Sequence, residues 1–196
     1  MLPAAGVRAQ APAAPEEASR FAAVDTHASE HVAIAADPYD TPAKAKLFHI
    51  DYPAYHVLPI RIIVTNNGDT PISLADARID FITAAGDKIS AAEPEDVERI
   101  LDKPGDPAKA VRVGPIKVGG KGKSKDKEIK EDFDTHEYGA LAVEPHTTRT
   151  GFLFYDVGST GDPLRGGRLE LRRLRAADGK ELFAFEVPFD KYLATK

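Results

Sequence analysis

The sequence predicts an all-β protein, an antiparallel two-sheet sandwich with one or two short helices. Residues 58–65 form a β-branched run in which Ile60, Ile62 and Val64 share one parity. The segment Asn66-Asn67-Gly68-Asp69 that follows is typical of a turn between strands. About six to eight short segments of this kind follow one another without regular helical stretches between them, which favours antiparallel sheets over a parallel one.

The strand pattern also predicts where the core lies. The predicted strands are residues 32–35, 58–65, 71–74, 76–83, 147–157, 168–175 and 181–187. Predicted short helices cover residues 42–46 and 94–101, where a proline stands at the first helical position. Alternation within the strands places these side chains in the core: Ile62, Val64, Phe152, Phe154, Phe183 and Phe185.

Residues 114–137 interrupt this pattern with glycine, lysine and mixed charge, and we interpret them as a solvated insertion. Its second half, residues 124–137, is compatible with a helix. Ile129 and Phe133, at i and i+4, are the only apolar anchors such a helix would have.

Composition narrows the possible functions. Of 196 residues, 42% are hydrophobic, which is enough for a substantial core, and the net charge of −5 argues against a general nucleic-acid binder. The chain has no cysteine, which removes disulfides, thiolate metal sites and cysteine nucleophiles. We expect no cofactor.

The N-terminus carries small residues at signal-peptidase spacing, Val7-Arg8-Ala9 before Gln10 or Ala9-Gln10-Ala11 before Pro12. We expect cleavage near Gln10 and export to the periplasm or the extracellular space. Most of the signal peptide would then precede Met1; a plain alanine- and proline-rich leader is the alternative. Residues 1–24 are predicted to be residual signal sequence and flexible linker, and residues 25–196 a single domain. No stretch predicts a transmembrane span.

Two segments carry a resemblance. Residues 58–74, which end in VTNNGDTPISL, and residues 143–157, VEPHTTRTGFLFYDV, are followed by FEVPFDKYL at 185–193. Together they resemble uncharacterised exported immunoglobulin-like domains of bacteria, over about residues 30–195. The resemblance implies an immunoglobulin-like sandwich without catalytic residues. The chain departs from immunoglobulin proper because it lacks the cysteine pair, has no tryptophan and carries the insertion.

The best binding candidates are His49, Tyr52, Tyr55 and His56, in the connection that leads into residues 58–65. Aromatic side chains with polar tips on a loop are what recognition surfaces use. The alternative is that they cover the open end of the core.

Three other clusters were considered. His27 and His31, within 25–31, have the spacing of two metal ligands but no evident third, so no metal site is predicted. Asp132, Asp134, His136 and Glu137 could pair an imidazole with carboxylates, but no nucleophile lies nearby in the sequence. Arginines at 165–175 could bind an anion, although charges that protect a strand edge are the simpler interpretation.

These patterns predict a non-catalytic, exported binding or protein-interaction module of the bacterial cell envelope. Its expected partner is an envelope protein or a surface glycan. The alternative is a periplasmic protein that binds a small ligand or a metal, and an enzyme is the least favoured class.

Overall fold

A computed structural model describes residues 15–102, 122–158 and 161–196 of the chain. The strands are β1 (Val24–His27), β2 (Val32–Pro38), β3 (Val57–Asn66), β4 (Ile72–Ser73), β5 (Arg78–Ile82), β6 (Lys88–Ser90), β7 (Ala142–Val143), β8 (Thr147–Asp156), β9 (Arg168–Arg172) and β10 (Phe185–Pro188). The helices are α1 (Pro42–Ala45), α2 (Pro94–Asp102), α3 (Gly122–His136) and α4 (Asp190–Leu193), with 3-10 turns at Ala18–Arg20 and Tyr52–Tyr55.

The strands form two four-stranded sheets, ordered β1-β2-β3-β8 and β10-β9-β5-β6, and a two-stranded ribbon of β4 and β7. Every pair is antiparallel. The prediction of an antiparallel all-β architecture is therefore confirmed. The helical content exceeds the expectation of one or two short helices, because α3 alone runs over 15 residues.

Strand β3 is the centre of the first sheet, paired along its length with β2 on one side and with β8 on the other. All of its residues are buried except Arg61, which is half-buried. Ile60, Ile62 and Val64 point into the core between the two sheets, and Ile63 packs on the opposite face. One parity of the run is wholly apolar and the other carries Val57, Pro59 and Ile63 beside Arg61 and Thr65, which suits a strand that is covered on both faces.

The main core lies between the two four-stranded sheets. From the first sheet it takes Ile34, Ile60, Ile62, Val64 and Tyr155, and from the second Phe81, Leu169, Leu171, Phe185 and Val187. Phe189 and Tyr192, next to and within α4, seal one end of it. The predicted core positions Ile62, Val64 and Phe185 are confirmed here.

A second core lies on the outer face of the first sheet. Phe152 and Phe154 of β8 point away from the main core and pack against Val97, Leu101, Ile129 and Phe133 of α2 and α3. Leu153 and Tyr155, on the other parity, face the main core. The prediction that Phe152 and Phe154 are buried is therefore confirmed, and β8 is covered on both faces.

Residues 15–23 cover another part of the same outer face. Ala18 is fully buried against Ala33, Ala35 and Ile63, and its N–H donates to Thr65 Oγ1 at 2.9 Å. Part of the segment predicted as flexible linker thus packs on the sheet. Residues 1–14, with the predicted cleavage site, lie outside the described residues.

Two predictions are corrected. Phe183 is 72% exposed, because β10 begins only at Phe185 and the Phe183 N–H donates to Glu30 Oε1 at 2.9 Å instead of entering a ladder. The second half of the predicted insertion is solvated on one side only: α3 forms there, with Lys127 and Lys130 exposed, and Ile129 and Phe133 are its buried anchors, as the i, i+4 spacing indicated. The first half, to residue 121, lies outside the described residues.

Candidate functional site

The connecting segment, residues 48–56, links α1 to β3. It contains the four predicted binding residues, His49, Tyr52, Tyr55 and His56. Pro53 lies in the first positions of its 3-10 turn, where the proline ring fixes φ in advance. The turn ends at His56, which has a left-handed φ of 62° and donates its N–H to the Pro53 carbonyl at 3.1 Å. Pro53 and the hydrogen bond from His56 therefore fix the backbone conformation at the C-terminal end of the connecting segment.

A buried carboxylate on α3 holds the beginning of the segment. Asp132 has no exposed surface. Its carboxylate accepts hydrogen bonds from the His49 N–H at 3.0 Å, the Ile50 N–H at 3.4 Å and the Tyr52 hydroxyl at 2.9 Å, and it lies 2.7 Å from His49 Nδ1. A buried charge is tolerated when its oxygens are satisfied in this way.

Buried aromatic side chains surround Tyr52, whose hydroxyl donates to Asp132. Tyr52 is fully buried, with its ring 5.4 Å from that of Phe48 and 4.9 Å from that of Phe154. Burial, with the nearby Asp132 charge, raises the pKa of Tyr52 far above its usual value, so the hydroxyl is a permanent donor. Tyr52 therefore closes the second core, and its ring is not offered to a partner.

His49 is the exposed member of this network, with 58% of its side chain accessible. The hydrogen bond to Asp132 and the charge of that carboxylate raise the pKa of His49 above its ordinary 6.5, and Glu131 and Glu128 contribute in the same direction. The buried carboxylate therefore favours an imidazolium at the surface, held in one orientation by its Nδ1.

Tyr55 and Lys125 form a second contact between the connecting segment and α3. Lys125 Nζ donates to the Tyr55 hydroxyl at 3.1 Å and lies 4.8 Å from the centre of the Tyr55 ring. Lys125 precedes Asp132 by seven residues, two helical turns or about 10 Å of helix. His49 and Tyr55 are therefore presented along one side of α3 at separate points. We call this surface, formed by His49, Tyr55 and Lys125, the α3 surface.

His56 lies apart from the α3 surface. It is exposed and borders a cavity of about 290 Å³, together with Pro53, Asp40, Asp162 and apolar residues that include Leu58 and Leu164. Asp40 accepts a hydrogen bond from the Tyr192 hydroxyl at 2.7 Å and contacts Lys196, and Asp162 faces Arg165 at 3.4 Å. Both carboxylates thus already have cationic or hydroxyl partners.

The candidate metal residues serve another purpose. His27 has Glu30 at 2.8 Å from Nδ1 and Asp25 at 3.3 Å from Nε2, and its ring stacks on Phe185. Asp25 also accepts the N–H of Glu186 at 2.9 Å, so β1 and the edge of β10 are joined through side chains. Within the described ranges, no group of three or more His, Cys, Asp or Glu side chains is arranged to hold a metal ion.

The proposed general-base cluster does not converge. Asp132 points inward to the connecting segment, whereas Asp134 and Glu137 are exposed. The ring of His136 packs edge-on against Phe48 at 5.4 Å. Asp132 therefore holds the connecting segment, and His136 packs against the second core.

The arginines of the 165–175 cluster are mostly paired with acids. Arg172 lies 3.3 Å from Asp80 and 3.1 Å from Glu170, and Arg175 faces Asp76 at 3.7 Å. Such pairs across neighbouring strands neutralise the exposed face of the second sheet.

Asp132 and Lys125, the two helix residues that hold the connecting segment, were not among the predicted binding residues. One signal pointed to Asp132: it lies beside Phe133 on the stripe that the Ile129–Phe133 spacing defines. No local signal pointed to its partners, which are about 80 residues earlier in the chain.

The chain matches no family model, no curated protein and no solved structure in the three comparisons with known proteins. No helix among the described residues has the length and apolar character needed to cross a membrane.

Proposed function

We propose that this protein is a non-catalytic interaction module, an immunoglobulin-like sandwich exported to the bacterial cell envelope, which binds an envelope protein through the α3 surface. Two four-stranded antiparallel sheets around a common core support the sandwich assignment. The small residues at Val7–Ala9 before Gln10 support export.

One observation carries the binding assignment: the connecting segment is fixed before any partner arrives. Asp132 binds two of its backbone N–H groups and the Tyr52 hydroxyl, Lys125 binds Tyr55, and Pro53 restricts the turn. A surface that is already ordered loses little conformational entropy on binding, so more of the contact energy appears as affinity. Tyr55 supplies an aromatic ring with a hydroxyl tip, a side chain typical of binding surfaces.

The arrangement of acid and base groups supports a non-catalytic role. Asp132 and His49 resemble a carboxylate–imidazole pair, but the carboxylate is occupied by the segment that it holds. Among the described residues, no serine or threonine hydroxyl is hydrogen-bonded to His49. The pair is therefore interpreted as a positioning device for the exposed imidazole.

The test is capture of partners from the native envelope by purified protein. A His49→Ala/Tyr55→Ala variant removes from the α3 surface the exposed side chain of His49 and the half-buried side chain of Tyr55, and leaves the buried Tyr52 and Asp132 in place. At pH 8.5, where the His49–Asp132 contact contributes least to stability, we expect it to unfold at a slightly lower temperature than the wild type and to lose the captured protein. Phe183→Ala, which removes an exposed aromatic residue elsewhere, is the matched control and should capture normally.

Three results would count against the proposal. One is normal capture by the double variant, and another is equal loss of capture in Phe183→Ala. The third is elution of the captured material by free surface glycan, which would make the ligand a carbohydrate instead of a protein.

A further inference from the structure

Strand β8 is the last strand of the first sheet in the described part of the chain, where one of its edges has no neighbouring strand. At the C-terminal half of this edge, the Phe152 carbonyl accepts the Tyr138 N–H at 2.9 Å and the Phe154 carbonyl accepts the Ala92 N–H at 2.7 Å. Backbone groups of even-numbered residues in β8 therefore point away from β3. By strand alternation, the N–H and C=O groups of Thr148 and Thr150 point the same way.

These four backbone groups make no backbone hydrogen bond to any described residue outside β8. Glu137 bridges Phe152 in parallel and directly follows α3, so the chain that precedes this bridge is helical and does not continue as a strand beside Thr148 and Thr150. Gly151 permits this close approach: a Cβ there would lie 2.5 Å from the Tyr138 Cα. The ladder beside β8 thus stops abruptly, with an open edge at residues 148–150.

The edges of the second sheet, on β10 and β6, are protected. On β10, the Glu186 N–H is bound by Asp25 and the nearby Phe183 N–H is bound by Glu30, each at 2.9 Å. Strand β6 has only three residues, and the chain after it joins β8 through Ala92. Short or side-chain-covered edges are the usual protection against pairing with other chains. Residues 148–150 lack this protection.

The charges beside the open edge are positive. Arg61 donates from Nε to Thr150 Oγ1 at 2.9 Å, and Arg149 is exposed on the edge strand itself. Neither guanidinium has a carboxylate within 4.0 Å among the described residues, whereas Arg168, Arg172 and Arg175 all do. The chain has a net charge of −5, so two arginines without a nearby carboxylate stand out at this edge, and their positive charge would attract carboxylate groups of a partner.

We propose that the outer edge of β8 at residues 148–150 binds an extended, acidic segment of a partner protein, which joins the first sheet as an added strand. The backbone of Thr148 and Thr150 supplies the ladder hydrogen bonds. Arg61 lies on the outer face of the sheet and Arg149 on the opposite face, so the added strand presents its carboxylate side chains to one arginine or the other according to its register. Glu137 lies at the Phe152 end and the exposed Glu144 lies next to Thr147, so the acidic residues of the partner lie between them, at Arg149. The binding is independent of the α3 surface.

The test is amide hydrogen exchange of the isotopically labelled full chain, followed by NMR. The probe is a blocked hexapeptide of alternating valine and glutamate, and the control peptide alternates valine and lysine. In the free protein, the amides of Thr148 and Thr150 should exchange rapidly, while Gly151 and Leu153, which point toward β3, are protected. The acidic peptide should slow exchange at Thr148 and Thr150 by about tenfold or more, and the basic peptide should not.

Charge reversal tests the role of arginine. In Arg149→Glu, the acidic peptide should no longer slow amide exchange at Thr148 and Thr150. The basic peptide should slow it instead, because the introduced carboxylate attracts lysine. Arg173→Glu, an exposed arginine outside the open edge, should behave like the wild type. His49→Ala/Tyr55→Ala should also respond normally, which separates this edge from the α3 surface.

Several results would overturn the proposal. If the Thr148 and Thr150 amides exchange slowly in the free protein at every protein concentration, the chain itself covers this edge. Protection that rises with protein concentration alone would indicate a second copy as the occupant. Equal protection by both peptides, or by neither, would exclude an acidic strand.

Discussion

Asp132 concentrates more specific contacts than any other polar side chain near the connecting segment. A carboxylate without exposed surface is stable only while its donors remain in place, and the donors are equally dependent on the carboxylate. Both the stability of the fold and the orientation of His49 on the α3 surface therefore depend on Asp132. If the contacts of Asp132 fail, the donors of Ile50 and Tyr52 are left buried without a partner and His49 loses its orientation.

Asp132→Ala should lower the free energy of unfolding by about 2–4 kcal/mol, because buried donors that lose their acceptor keep their desolvation cost. Asp132→Asn, which retains one carbonyl oxygen, should lie between Ala and the wild type. Asp134→Ala, an exposed carboxylate of the same helix, is the control and should change little. Urea unfolding measures all three, and an unchanged midpoint in Asp132→Ala would show that the network contributes nothing.

The pH dependence of His49 has a definite sign. Since its pKa in the folded protein is raised above 6.5, protonation stabilises the fold. This stabilisation is fully present below pH 6.5 and is lost as the pH rises through the raised value. The urea midpoint of the wild type should exceed that of His49→Gln most at pH 5.5 and least at pH 8.5. A difference that does not vary with pH would contradict the His49–Asp132 contact.

Helix α3 illustrates what its own sequence could and could not predict. The helix and its two anchors follow from the spacing of Ile129 and Phe133, because helical periodicity is local. The surface that receives those anchors comes from β8 and residues 48–56, which are distant in sequence. A helix in a glycine- and lysine-rich context therefore resembled a solvated insertion until its partners were known.

Phe133→Ala should lower the free energy of unfolding by about 3–5 kcal/mol, the usual cost of truncating a buried phenylalanine. The ring of Phe133 stacks on Phe154 at 4.2 Å, so its loss leaves a cavity in the second core. Lys127→Ala, on the exposed side of α3, serves as the control. Equal urea midpoints for the two variants would mean that α3 is not docked on β8.

The limit of strand patterns is seen at Phe183. Alternation continues from Phe183 through Phe185 to Val187, but the ladder with β9 begins only at Phe185, opposite Leu171. Where a strand begins depends on its partner, and a pattern of alternate residues carries no information about that partner. By contrast, β3 was predictable over most of its length because its run is β-branched and one parity, with Ile60, Ile62 and Val64, is wholly apolar.

At the scale of the whole molecule, strand β8 contributes side chains to both the main core and the second core. Phe154 faces the second core and Tyr155 faces the main core, so β8 connects them through adjacent residues. The all-β architecture and most core positions could be predicted from alternation. The division into two cores could not, because it depends on which helices cover the outer face of the first sheet.

Phe154→Ala should therefore destabilise the whole protein, by about 3–5 kcal/mol, in a single transition. Far-ultraviolet dichroism, which follows the backbone, and tyrosine fluorescence, which includes Tyr52 and Tyr155 of the two cores, should report the same lowered urea midpoint. Two separated transitions would show that the helical layer unfolds independently of the sheets.

The central claim is that the α3 surface is where a partner binds, and site-specific photocross-linking tests it most directly. A photoreactive phenylalanine analogue replaces Tyr55 in one protein and the exposed Phe183 in a second, and each is irradiated in native envelope. We expect a discrete adduct of higher mass from position 55 and none from position 183. The claim would be contradicted by the absence of an adduct at position 55, or by the same adducts from both positions.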